Sequence, residues 1–142
     1  MSENPYKILF LCTGNSCRSQ MAEGYANALG GGRIEAKSAG IEAHGKNPRA
    51  IAVMQEDGVD ISAQESTVLT DEMLHWADLL ITVCGHADEN CPVVSANLEK
   101  QHWPFDDPAK AKGNDEEIMR EFRRVRDSIK RKIGEYLDAD FV

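Results

Sequence analysis

The chain has 142 residues, of which 42% are hydrophobic and 28% are charged, and its formal net charge is −8 at pH 7. This composition is typical of one soluble globular domain spanning residues 1–142. The negative charge argues against a nucleic-acid binder, and no apolar run approaches the roughly 20 residues that cross a bilayer. The first residues lack a secretory leader, and four cysteines are typical of free thiols in a reducing compartment. We therefore expect a cytoplasmic protein, with a monomer as the default state.

Short apolar runs alternate along the chain with segments whose apolar residues recur at helical spacing. In chain order, this pattern predicts a strand at 7–11, a helix at 16–29, a strand at 33–38, a helix from Pro48 to Gly58, a short helix opening at Thr70, a strand at 78–83, a short strand at 101–105 and a helix at 114–137. The first helix is expected to bury Met21, Tyr25 and Leu29 on one face.

Strands that alternate with helices predict an α/β fold, with a parallel sheet covered by helices on both faces. In such sheets, ligands bind beyond the carboxyl ends of the strands. Cys12, Cys84 and Asp107 each follow a predicted strand. We therefore expect one edge of the sheet to bring these three side chains together.

The most informative segment is a cysteine, five residues and an arginine between the first strand and the first helix. Backbone N–H groups in such a loop can surround a tetrahedral oxyanion, and the same donors favour a thiolate, which is the attacking form of a cysteine. Cys12 is the candidate nucleophile, Arg18 offers two donors to the anion, Ser19 is placed to donate to the thiolate, and Asn15 is expected to hold the loop. The predicted oxyanion-binding residues are Thr13, Gly14, Asn15, Ser16, Cys17, Arg18 and Ser19.

The spacing of cysteine and arginine alone is weak evidence, because it occurs often by chance. The strand–loop–helix context makes a purely structural interpretation improbable. The side chain of Cys17 is interpreted differently, as a packing residue in the first helical turn.

Expulsion of an oxygen leaving group needs a proton donor near the loop. Asp106 and Asp107 precede Pro108, which restricts the backbone of Asp107. A general acid and an acidic turn without chemistry are equally compatible with these residues.

A second pair of thiols, Cys84 and Cys91, is seven residues apart. In a helix their Cα atoms would be roughly 10.5 Å apart, whereas a disulfide needs about 4.4–6.8 Å, so bridging them requires the segment to unwind. Two alternatives remain open. Cys84 could be a core residue at the end of a strand and Cys91 an exposed loop thiol, or both could bind zinc with His86 and His102. The spacing lacks the close ligand pairs of common zinc sites, so we predict no metal.

These motifs resemble a known family. The sequences at 12–23 (CTGNSCRSQMAE), 38–42 (SAGIE) and 102–108 (HWPFDDP), with Cys84, Cys91 and Pro92, are similar to those of thioredoxin-coupled arsenate reductases, which share the fold of low-molecular-weight protein tyrosine phosphatases. The resemblance implies a four-stranded parallel sheet, reduction of arsenate to arsenite without a cofactor, and thioredoxin as reductant. It implies that Asp107 is the general acid. It also implies an intermediate Cys12–Cys84 disulfide and a final Cys84–Cys91 disulfide.

The resemblance has one departure and leaves two rivals. Some members bind potassium near positions that match Asn15, Glu23 and Ser38, but the position of a further carboxylate is Thr67 here. One rival is a phosphatase that forms a phosphocysteine at Cys12, although Ala109 stands where tyrosine phosphatases of this fold usually carry tyrosine. The other rival is a sensor of oxyanions or thiols that forms a disulfide without turnover. Phosphate or sulfate is expected to fit the same loop.

Overall fold

A computed structural model describes residues 4–89 and 98–140 of the chain. The strands are β1 (Tyr6–Cys12), β2 (Ile34–Gly40), β3 (Leu79–Thr82) and β4 (Glu99–His102). The helices are α1 (Arg18–Gly30), α2 (Pro48–Glu56), α3 (Asp71–Trp76), α4 (Gly85–Glu89) and α5 (Asp115–Asp140), and a single 3-10 turn spans Pro108–Lys110.

The four strands form one parallel sheet in the order β2-β1-β3-β4, as predicted. The chain passes from β1 to β2 on one side and then returns across β1 to β3 on the other side. This reversal opens a crevice beyond the carboxyl ends of β1 and β3, which is the usual ligand position in sheets of this kind.

Both faces of the sheet are covered. Residues Ile8, Leu9, Phe10 and Leu11 of β1 are all buried, although successive side chains point to opposite faces of a strand. On one side α5 contributes the apolar row Phe122, Val125, Ile129 and Ile133, and it packs against α1 and α2. No helix within the described residues is both long enough and apolar enough to span a bilayer.

Side-chain caps fix where three helices begin. Asn47 accepts hydrogen bonds from the backbone N–H groups of the first turn of α2, and Thr70 does the same for α3. At α5, Asn114 accepts from the N–H of Glu117 at 2.8 Å, and Glu117 accepts from the N–H of Asn114 at 3.2 Å. This reciprocal pair satisfies two donors that the helix itself cannot use.

Three predictions about the elements were wrong in detail. The first helix begins at Arg18, two residues later than predicted, because the preceding residues form the loop. Leu29 is 39% exposed, although Met21 and Tyr25 are buried as expected. The fourth strand is Glu99–His102, two or three residues before the predicted 101–105. Beyond its end, the N–H groups of Trp103 and Phe105 still donate to the carbonyls of Thr82 and Val83. The hydrogen bonding between the two segments therefore continues past the last residues of both strands.

Candidate active site

One pocket of about 460 Å³ lies at the carboxyl edge of the sheet. Cys12 ends β1, Cys84 follows β3, and Asp107 follows β4, and all three line this pocket together with Arg18. The prediction that one edge gathers these side chains therefore agrees with the structure. The remaining lining residues are Thr13, Gly14, Ser16, Cys17, His44, Gly85, His86, Ala109 and Lys110.

The thiol of Cys12 is buried, and its sulfur lies 2.9 Å from the hydroxyl oxygen of Ser19. That oxygen already accepts a hydrogen bond from Asn15 Nδ2 at 2.8 Å. The single hydroxyl hydrogen is therefore available to point at the sulfur. In that orientation Ser19 stabilises a Cys12 thiolate, the form that attacks.

The direction of this hydrogen-bond chain is set by a carboxylate at its other end. The second Nδ2 hydrogen of Asn15 goes to Ser38 Oγ at 2.9 Å, and Ser38 donates to Glu23 Oε1 at 2.6 Å. Burial raises the pKa of Glu23, and the hydrogen bonds from Ser38 oppose that rise. Because a carboxylate only accepts, Ser38 must donate to it and accept from Asn15.

Asn15 holds the loop in a conformation that few residues tolerate. It is fully buried, its backbone φ is +49°, and its Oδ1 accepts from the N–H of Thr67 at 2.8 Å. Asparagine adopts this left-handed region more readily than most side chains. The amide thus turns the loop and joins it to two neighbouring segments, as the sequence led us to expect.

The segment after β2 supports the loop from outside. The N–H groups of Ile41, Glu42 and His44 donate to the carbonyls of Cys12, Thr13 and Gly14. Two glycines lie at close approaches. A Cβ on Gly40 would lie 2.1 Å from the Glu42 backbone carbonyl, which requires glycine, and one on Gly14 would lie 2.2 Å from the His44 ring, which would have to move aside. Both glycines therefore bring the two segments into contact.

The guanidinium of Arg18 faces both the loop and the opposite wall of the pocket. Its Nη1 donates to the Phe105 carbonyl at 3.1 Å, and its Nη2 lies 3.5 Å from Asp107 Oδ2. The adjacent Asp106 pairs instead with Arg124 of α5 at 2.9 Å and is mostly exposed. The two aspartates, which the sequence alone could not distinguish, are thus separated by geometry, and only Asp107 lines the pocket.

Cys84 presents a second thiol to the same pocket. It is buried, its sulfur lies 3.3 Å from Thr13 Oγ1, and it accepts from the N–H of Ala87 at 3.4 Å. The helix α4 begins directly after it and is described as far as Glu89, so the helix up to Cys91 that the distance argument assumed is not tested. Cys91, and with it the predicted pairing to Cys84, lies outside the described residues.

Cys17 differs from the other two thiols. It is buried at the start of α1, and burial, opposed by a hydrogen bond from Ser16, raises the pKa of its thiol to about 12. A thiol of this kind stays protonated and unreactive near neutral pH. Cys12, Cys17 and Cys84 are all free thiols.

The residues that match the potassium site are hydrogen-bonded to one another or to their neighbours. Asn15 Oδ1 accepts from the N–H of Thr67, Ser38 donates to Glu23, and Thr67 supplies no charge. For transition metals, the described part of the chain contains no group of three or more His, Cys, Asp or Glu side chains that could bind one.

Residues 7–140 match the sequence profile of the low molecular weight phosphotyrosine protein phosphatases. This chain belongs to that family.

Relatives within the family include arsenate reductases. One from Halalkalibacterium halodurans is 53% identical over 136 residues, which cover 96% of this chain and 98% of that protein. One from Bacillus subtilis is 50% identical over 132 residues, which cover 93% and 95%. A solved arsenate reductase in its phosphate-binding state superimposes with a TM-score of 0.76 and 34% identity, covering 94% of this chain and 98% of that one.

Two histidines and a lysine in the phosphatase-family pocket were missed as functional candidates: His44, His86 and Lys110. From the sequence, His86 was considered only as a possible zinc ligand. A signal was present for His86, because it lies two residues after Cys84 and therefore shares its edge of the sheet. No local signal marked His44, which reaches the pocket only because its segment runs alongside the loop.

Proposed function

We propose that this protein reduces arsenate to arsenite. The observation that carries the proposal is a second thiol, that of Cys84, in the same pocket as Cys12 and the anion loop. Hydrolysis of a phosphocysteine needs only the first thiol. Reduction also needs a second thiol, which attacks the Cys12 sulfur and forms a disulfide with it. The names of the 53% and 50% identical relatives support this choice.

The first step is attack of the Cys12 thiolate on arsenic. An As–S bond forms, an As–O bond breaks, and Asp107 gives the departing oxygen its proton. Arg18 and the backbone N–H groups of residues 13–19 stabilise the remaining oxygens, where negative charge accumulates. The position of Asp107 supports this assignment, because the side chain lines the same pocket as Cys12 and lies beside the anion-binding donor Arg18.

The second step is attack of the Cys84 thiolate on the Cys12 sulfur. The S–S bond forms, and the electron pair of the As–S bond stays on arsenic, which leaves as arsenite. Arsenic has then gained two electrons and the two cysteines have lost them. The product on the protein is a Cys12–Cys84 disulfide.

The third step is attack of Cys91 on Cys84. It restores the Cys12 thiolate and leaves a Cys84–Cys91 disulfide, which an external dithiol reduces by the same exchange chemistry. We propose thioredoxin as this dithiol and the cytoplasm as the location.

The test is arsenate-dependent NADPH oxidation with thioredoxin and thioredoxin reductase. The wild-type chain should turn over, and Cys12→Ser should abolish the reaction. Cys91→Ser should release about one arsenite per chain and accumulate the Cys12–Cys84 disulfide, which peptide mass spectrometry detects. Steady-state turnover of Cys91→Ser with thioredoxin would contradict the relay, and no NADPH consumption by the wild type would contradict arsenate reduction.

A phosphatase activity is the second candidate, favoured by the anion loop and by the family to which the chain belongs. Cys84→Ser separates the two functions. This variant should retain hydrolysis of p-nitrophenyl phosphate, which needs Cys12 and Asp107, and should lose arsenate reduction. Equal loss of both activities in a folded variant would contradict separate roles for the two thiols.

A further inference from the structure

Three side chains form a continuous hydrogen-bonded row along one wall of the pocket. The Cys84 sulfur lies 3.3 Å from Thr13 Oγ1, and that oxygen lies 3.0 Å from His86 Nδ1. Cys84 is buried, Thr13 is half-buried and His86 is exposed. The row therefore runs from an interior thiol to a side chain in contact with solvent.

The row can hold a proton at either end without losing a hydrogen bond. With neutral imidazole, Cys84 donates its S–H to Thr13, and Thr13 donates its O–H to His86 Nδ1. With imidazolium, Nδ1 donates to Thr13, and Thr13 donates to a Cys84 thiolate. The N–H of Ala87 also donates to that sulfur and favours the thiolate.

We propose that His86 accepts the proton of Cys84 through the hydroxyl of Thr13, and that this transfer produces the thiolate for the second step. The Cys84 proton moves to Thr13 Oγ1 and the Thr13 proton moves to Nδ1, and the imidazolium keeps its charge beside the thiolate until Cys84 attacks. No other bond forms or breaks. The inference rests on the proposed function, since Cys84 needs to be deprotonated only if it attacks Cys12. His86 is a positioning residue in this scheme, because it acts through Thr13.

The charged groups around His86 favour and oppose the imidazolium. Glu42 favours it: the pKa of Glu42 is lowered first by the hydrogen bond and charge of His44 and then, in a smaller part, by His86. The negative charge of Asp107, which lines the same pocket, also favours the imidazolium, and so do the charges of Asp88 and Glu89 on α4. The positive charges in the pocket lining oppose the imidazolium; they are those of Arg18, Lys110 and, when it is protonated, His44. The other thiols in the lining are Cys12 and Cys17. Imidazole is the side chain whose charge ordinarily changes between pH 5 and 8, so the transfer is available near neutrality.

His86→Asn is the informative variant, because the asparagine amide can replace the hydrogen bond of Nδ1 but cannot take a proton. The full-length chain is treated with iodoacetamide from pH 5 to 10, and the alkylation rate of each cysteine is measured by peptide mass spectrometry. In His86→Asn, the pH midpoint for Cys84 should move upward by about one unit, with an alkylation rate at pH 7 lower by about tenfold. The midpoint for Cys12 in the same sample should stay unchanged and serves as the internal control.

A pair of variants at Thr13 tests the path itself. Thr13→Val, which removes the hydroxyl, should shift the Cys84 midpoint as His86→Asn does, and combining the two substitutions should add nothing. Thr13→Ser, which keeps the hydroxyl, should restore the wild-type midpoint. An unchanged Cys84 midpoint in His86→Asn, or equal effects of Thr13→Val and Thr13→Ser, would overturn the proposal.

Catalysis gives a second readout that distinguishes this inference from the proposed function. In a Cys91→Ser background, single-turnover arsenite release should slow about tenfold at pH 7 with His86→Asn and should recover toward the unsubstituted rate by about pH 9. If the wild type releases no arsenite, the proposed function fails, while the alkylation experiment still decides the role of His86. A uniform slowing at every pH would overturn the proton transfer.

Discussion

Neighbouring residues in this protein have different surroundings and therefore different chemistry. Asp107 lies 3.5 Å from Arg18 in the pocket, whereas Asp106 pairs with Arg124 at the surface. Cys12 has a hydroxyl partner at 2.9 Å, whereas burial keeps the Cys17 thiol protonated. The identity of a side chain is thus less informative than the atoms that face it.

The adjacent aspartates provide a matched pair for testing the general acid. Asp107→Asn should lower the rate of the Cys12 step by about 100-fold or more, because general acid catalysis is commonly worth that much. Asp106→Asn should stay within about twofold of the wild type, since it loses only an exposed ion pair. Hydrolysis of p-nitrophenyl phosphate measures the step without involving Cys84. Equal effects of the two substitutions would contradict the assignment of Asp107.

The loop gains its shape from the elements beside it. Its carbonyls accept hydrogen bonds from the segment after β2, and its central residue, Asn15, is bound to Ser38 of β2 and to Thr67. Gly40 ends β2 at the closest approach between the two segments. Correct geometry for the anion therefore depends on β2 as much as on the loop itself.

Gly40→Ala tests this dependence. Its Cβ would lie 2.1 Å from the Glu42 carbonyl and 2.9 Å from Asn15 N, so the backbone must shift, at a cost of about 1–3 kcal/mol in the free energy of unfolding. Phosphate binding, measured by calorimetry, should weaken as the loop is displaced. Gly134→Ala is the control, because its Cβ meets open space on α5 and alanine should stabilise that helix by about 0.5–1 kcal/mol. Unchanged phosphate affinity in Gly40→Ala would contradict the role of β2.

At the scale of the whole molecule, the active-site loop is joined to a half-buried ionisable group. Glu23 extends from α1 to Ser38 of β2, and through Asn15 and Ser19 it is connected with Cys12. Its pKa is raised above its ordinary value of 4.5, first by burial. Glu23 therefore binds its proton more tightly in the folded state than in the unfolded state, which stabilises the fold. This stabilisation is fully present below about pH 4.5 and is lost as the pH rises through the raised pKa.

Glu23→Gln, which cannot ionise, removes this pH dependence. Its free energy of unfolding relative to that of the wild type should therefore increase as the pH rises from about 4 to 8. Urea denaturation across that range measures the difference, in which the titration of all other groups cancels. The exposed substitution Glu72→Gln should give a nearly constant difference. A Glu23→Gln difference that is constant or falls with pH would contradict the burial argument.

The sequence by itself predicted most of the elements and a chemistry for the loop, because both depend on neighbours along the chain. Apolar runs and helical spacing predicted the four strands of the sheet and four of the helices. Residues 12–19 predicted a thiol beside an oxyanion site. The errors, at the start of the first helix, at Leu29 and in the fourth strand, arose where loop shape, burial or pairing depends on distant segments.

The sequence predicted that Cys12, Cys84 and Asp107 share one edge of the sheet, but only the tertiary structure decided which side-chain atoms come into contact there. Thr13 and His86 are 73 positions apart, yet their side-chain atoms lie 3.0 Å apart, because β1 and β3 are neighbours in the sheet and end at the same edge. The same arrangement placed Cys84 opposite the loop and turned Asp107, but not Asp106, toward Arg18. Local sequence carries no record of such contacts, because crossover connections bring distant parts of the chain to one edge.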